Sequence, residues 1–162
     1  MALQLINGFI SGRVIKMLEK KFVDALRILK DKLRDIDFYI IGSAGMAING
    51  MDVIPGDIDA IVRISNIREA YDRLRDHVKK PIYEKEFPGA KSLVVLADIT
   101  GIEVEVLGKP DDDEYYRRIL DGRIKEHDLE GVSVKCINLE AEYEVMAPYR
   151  PEKAKRIREF LE

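Results

Sequence analysis

The chain has 162 residues, 46% of them hydrophobic and 35% charged, with a net charge of −3. That is one ordinary domain of a soluble, heavily charged globular protein, and it excludes intrinsic disorder and a dominant basic footprint for duplex nucleic acid. A single cysteine, Cys136, excludes an internal disulfide and a multi-cysteine zinc site.

No apolar run approaches the length of a membrane span, so no membrane partner is expected. The first ten residues are apolar but lack a basic leader and a small-residue cleavage site, so no signal peptide is expected, and the lone cysteine leads to the expectation of a reduced, cytoplasmic setting. One Gln, one Thr, no Trp and abundant charge resemble the composition of thermophile proteins.

In chain order, apolar residues from Val14 to Leu33 recur at helical spacing, which predicts one long amphipathic helix. Phe38 to Ile41 predicts a short buried strand, stopped by Gly42-Ser43. Ala44 to Ile48 predicts a short helix, capped by Asn49-Gly50. Asp57 to Arg63 predicts a second strand. Asn66 predicts a helix start, with Ala70, Leu74 and Val78 on its buried face. Ser92 to Ile99 and Ile102 to Leu107 predict a hairpin turning at Thr100-Gly101.

Three aspartates, Asp111 to Asp113, suit the N-terminus of a helix that ends at Gly122. Val132 to Ile137 predicts an edge strand. Asn138 starts a helix that Pro148 ends, and Pro151 opens the last one. The two histidines, His77 and His127, stand far apart and predict surface or capping roles. The alternation of helices and strands predicts an α/β (α+β) class built on a mixed sheet.

The chemistry concentrates in two strands. In Asp57-Ile58-Asp59 the two carboxylates leave one face of the strand, while Ile58, Ala60 and Val62 line the other. Adjacent carboxylates repel, and a hard divalent cation with oxygen ligands relieves them. In the later strand Glu103, Glu105 and Leu107 share a face. Glu105 lies between two valines and wants a partner. Gly42-Ser43, between a strand and a helix, presents backbone N–H groups and a hydroxyl suited to a phosphate. The last helix, with Arg150 and Lys153, belongs to a segment (149–162) carrying five basic and three acidic residues. It is either a solvated face or a source of cations for the site.

The order Ile41-Gly42-Ser43, thirteen residues, Asp57-Ile58-Asp59, then a later strand bearing Glu105, resembles the polymerase-β-like nucleotidyltransferase superfamily. The resemblance covers about residues 38–108. The helical tail, about 138–162, is similar to that of small stand-alone bacterial and archaeal members. It implies a nucleotidyltransferase-like mixed sheet flanked by helices over 1–162, with a core at about 36–108. It also implies a transfer of a nucleoside monophosphate from a nucleoside triphosphate to a hydroxyl, with pyrophosphate leaving. Asp57, Asp59 and Glu105 would be the catalytic, metal-holding acids for two Mg²⁺ ions, or Mn²⁺, with Glu103 the alternative to Glu105. Gly42, Ser43, Arg150 and Lys153 would bind the nucleotide.

The acceptor stays open among a small molecule, RNA and protein. A large acceptor would require a homodimer or a partner protein. Two alternatives stay open as well: a catalytically weak or inactive, antitoxin-like binding protein, and a metal-dependent phosphoester hydrolase.

Overall fold

The computed structural model describes the backbone of residues 5–10, 13–86 and 91–162, with side chains described from Leu18 onward. The opening ten residues, where a leader was sought, lie partly outside them. Strands β1 (Leu5–Ile10) and β2 (Arg13–Glu19) pair antiparallel as a separate two-stranded sheet. Helix α1 (Lys20–Lys32) follows at once.

The long helix expected from Val14 therefore begins only at Lys20. Residues 13–19 are held by the partner strand β1, and local periodicity carries no record of such pairing. The buried face of α1 is the expected one, with Phe22, Ala25, Leu26 and Leu29 inside, and Val23 is buried as well.

Seven further strands form one mixed sheet. They are β3 (Tyr39–Ile41), β4 (Asp57–Arg63), β5 (Tyr83–Glu86), β6 (Lys91–Ile99), β7 (Ile102–Lys109), β8 (Ile124–Leu129) and β9 (Val132–Ile137). Their spatial order is β5-β6-β7-β4-β3-β9-β8. Strands β4 and β7 run parallel at its centre, and β3 is antiparallel to β4. The hairpin β6–β7 turns at Thr100 and Gly101, both at positive φ (55° and 82°), as a two-residue turn matched to strand twist requires.

Two expectations fail on pairing grounds. Strand β9 is internal, because the unread β8 covers its outer side. Strand β5 also went unread. Its Tyr-Glu-Lys-Glu sequence is half-buried at most and lacks an apolar face, as an edge strand's can.

Alternation of side chains divides the core in two. On one face, Ile58, Ala60 and Val62 of β4 and Val104 and Val106 of β7 pack with Leu26 and Leu29 of α1. Helices α2 (Gly42–Ile48) and α3 (Ile67–Arg73) join that layer through Ala44, Ala47 and Ala70. Helix α3 is shorter than expected, and Val78 leaves it to bridge Ala97 of β6.

On the other face, Ile61 and Leu107 meet α4 (Glu114–Leu120), α5 (Leu139–Met146) and α6 (Pro151–Leu161) through Tyr115, Ile119, Val145, Met146 and Ala154. Asp113 caps α4 by accepting from the N–H groups of Tyr115 and Tyr116, and Asn138 caps α5. His127 is buried rather than superficial, its Nε2 hydrogen-bonded at 2.7 Å to Asn49 Oδ1. Among the described residues no helix is long and apolar enough to cross a membrane.

Candidate active site

The second layer of helices covers the middle of β4 and β7 and leaves their beginnings open. Ile61 is fully buried and Leu107 nearly so, whereas Asp57, Asp59 and Glu105 on the same face are half-buried. The parallel register sets Asp57 opposite Glu103 and Asp59 opposite Glu105. A pocket of about 260 Å³ opens there.

All seven residues singled out in the sequence line it: Gly42, Ser43, Asp57, Asp59, Glu105, Arg150 and Lys153. Glu103 does not; its half-exposed side chain faces Lys79 at 3.7 Å. A larger groove of about 650 Å³, between the end of α1 and the β8–β9 hairpin, holds none of the seven.

Asp59 carries the electrostatic load. Burial, then the Asp57 charge, then the Glu105 charge push its carboxyl up to about 7, against the opposing pull of Lys85 and Lys153. The turn of α2 lies directly beside it. Gly42 sits at φ +67°, and a Cβ there would stand 3.3 Å from Asp59 Oδ2. Glycine is therefore favoured by the backbone angle, and a Cβ would also press on the Asp59 carboxylate.

The Gly42 N–H does not face a ligand. It donates to Glu142 Oε1 at 2.5 Å, and the Tyr115 hydroxyl donates to Glu142 Oε2 at 2.5 Å. Of the two residues expected to grip phosphate, Gly42 thus has its N–H engaged inside the protein. Ser43 remains on the pocket wall.

Glu142, Tyr115 and Lys85 were missed in the sequence. Glu142 could have been noticed, because it falls on the buried stripe of α5 with Leu139, Val145 and Met146. Burial pushes its carboxyl up; its Tyr115 and Gly42 hydrogen bonds and Lys153 pull the other way. Lys85 gave no signal, since it lies on the unread edge strand. Its Nζ contacts Glu105 Oε2 at 2.9 Å and Oε1 at 3.3 Å.

The donor set suits a hard divalent cation: three carboxylates share the pocket, and one is held far above its ordinary range by the others and by burial. As they stand, no three His, Cys, Asp or Glu side chains among the described residues are grouped closely enough to hold an ion together. The lining is balanced in sign, with Asp57, Asp59 and Glu105 against Lys85, Arg150 and Lys153.

No protein-family model matches the chain, and no curated protein matches it. Solved structures do. A candidate nucleotidyltransferase of Thermotoga maritima, TM1012, superposes with a TM-score of 0.70 at 23% identity, over 90% of this chain and 95% of the other. The lincosamide antibiotic adenylyltransferase LnuA, with lincomycin bound, gives 0.57 at 14% identity, covering 87% and 97%. ANT(2″)-Ia in complex with adenylyl-2″-tobramycin gives 0.55 at 15% identity, covering 87% and 88%. The three share a mixed sheet and flanking helices with this chain over nearly its whole length, and the D-x-D strand stands at the centre of that sheet: the chain has the nucleotidyltransferase fold.

Proposed function

We propose that this protein is a metal-dependent nucleotidyltransferase. It transfers a nucleoside monophosphate from a nucleoside triphosphate to an acceptor hydroxyl. The acceptor oxygen bonds to the α-phosphorus, the bond from that phosphorus to the bridging oxygen breaks, and pyrophosphate leaves. One observation carries this: Asp57, Asp59 and Glu105 line a single pocket with Ser43, Arg150 and Lys153.

Two Mg²⁺ ions, or Mn²⁺, held by Asp57, Asp59 and Glu105 would supply the charge that phosphoryl transfer demands. The chain supplies the rest. Arg150 and Lys153 offer cations to the triphosphate, and Ser43 offers a hydroxyl. Glu105 stands furthest toward β5 and takes the acceptor proton. An antibiotic adenylyltransferase and a complex with adenylyl-2″-tobramycin among the fold neighbours support this reading.

A second reading, a fold that binds a partner without chemistry, is favoured by one observation: Glu105 is engaged by Lys85. Calorimetry and thermal shift with ATP, CTP, GTP and UTP, each with and without Mg²⁺, separate the two. The expected result is stabilisation that needs nucleotide and metal together, and that disappears in the Asp57→Asn/Asp59→Asn double variant. Unchanged Mg²⁺-dependent binding in that variant would overturn the enzyme. No response to any nucleotide would leave the binding module. Turnover to free nucleoside monophosphate with water as the only acceptor would identify a hydrolase.

A further inference from the structure

Both oxygens of Glu105 are taken by a cation that the protein itself provides. Lys85 reaches diagonally from the edge strand β5 over β6, and its Nζ lies 2.9 Å and 3.3 Å from the two carboxylate oxygens. The Lys85 side chain is 42% exposed and that of Glu105 15% exposed, so the pair forms one wall of the pocket. Asp57 and Asp59 share that pocket, yet the three carboxylates are not grouped as a ligand set. The cation that engages the third one is Lys85.

An ammonium and a divalent ion compete for the same oxygens. A divalent ion that engages Glu105 must displace Lys85 and must also overcome the repulsion of a neighbouring positive charge. The displaced ammonium then needs a new anionic partner. A triphosphate in the same pocket is such a partner.

We propose that Lys85 is a positioning residue that makes metal and nucleotide binding interdependent. It withholds Glu105 from a divalent ion, and it yields Glu105 when a phosphate-bearing substrate offers its ammonium an alternative. By linkage, the nucleotide then tightens metal binding by the factor with which the metal tightens nucleotide binding. This inference rests on the nucleotidyltransferase reading of the pocket.

The test is calorimetric titration of Mn²⁺ into the wild type, Lys85→Met and Lys85→Arg, with and without a non-hydrolysable triphosphate analogue. Asp59→Asn reports on the site, and melting temperatures confirm folding of each variant. Lys85→Met is expected to bind Mn²⁺ alone roughly three- to tenfold more tightly than the wild type. Lys85→Arg keeps a cation on Glu105 and stays within about twofold of the wild type. The analogue should tighten Mn²⁺ binding less in Lys85→Met than in the wild type.

A residue that merely supported the strand would give weaker metal binding on substitution, the opposite sign. Unchanged or weaker Mn²⁺ binding in Lys85→Met, or undiminished coupling, overturns the proposal while the site stands. Mn²⁺ binding that is absent from every variant, or that survives Asp59→Asn, overturns the metal site and the proposal together.

Discussion

Asp59 shows how one residue can be costly to the fold and suited to a site. Its carboxyl is raised to about 7 because burial and two neighbouring carboxylates all disfavour its charge. In the unfolded chain the same group ionises near 4. The folded state therefore binds more protons than the unfolded state between about pH 4 and 7, and stability falls as pH rises through that window. Asp59→Asn should remove the penalty. The variant is expected to be more stable than the wild type at pH 8, by on the order of 4 kcal/mol at most, and equal to it at pH 4. Denaturant melts at the two pH values check this, and a variant destabilised at pH 8 would contradict it.

The carboxylate pair was legible because a strand alternates with period two, so Asp57 and Asp59 had to share a face. The position of Glu142 on a buried stripe could be read too, but not its role, because its partners, the Gly42 N–H and the Tyr115 hydroxyl, are 100 and 27 residues away in sequence.

Between elements, register decides what meets. The parallel pairing of β4 with β7 sets Asp59 opposite Glu105, and a slip of one residue would send the carboxylates of the slipped strand into the apolar layer. That pairing is packed closely from the other side. Gly108 of β7 lies under the turn leading into α3, and a Cβ there would stand 3.0 Å from Ile67 Cβ and 3.3 Å from the Ile64 Cα. Gly108→Ala should therefore cost about 1–3 kcal/mol of stability through overpacking. Urea melts measure it, and a neutral result would show that α3 shifts freely.

Helix stops and caps could be read locally, as at Asn49-Gly50, Asp113, Asn138 and Pro151, because their chemistry is contained within a turn. The start of α1 and the existence of β5 and β8 could not. A strand recruited by a partner needs no local signature of its own, and residues 13–19 followed β1 instead of their helical spacing.

At the scale of the whole molecule, the pocket draws on segments from Gly42 to Lys153, more than a hundred residues apart. The tail contributes to the site: α5 supplies Met146, and the start of α6 adds Arg150 and Lys153 to the wall that carries the acids. The positive side chains there balance the acids, so any divalent ion bound by the acids leaves the pocket positive and suited to a triphosphate. Lys153→Ala is expected to weaken nucleotide affinity about tenfold, to lessen its salt dependence and to raise the Asp59 carboxyl further, since Lys153 holds it down. Calorimetry at two salt concentrations tests this. Affinity and salt dependence unchanged from the wild type would place Lys153 outside the nucleotide's reach.

The sequence by itself determined the class of the fold, the shared face of Asp57 and Asp59, and the short strand that ends at Gly42, because alternation and turn chemistry act over a few residues. Tertiary structure alone decided that Glu105 faces Asp59 and that Lys85 holds it. It also decided that the tail lines the site and that the Gly42 N–H turns inward to Glu142. Each of these is a contact between segments far apart in the chain, fixed by sheet order and helix packing.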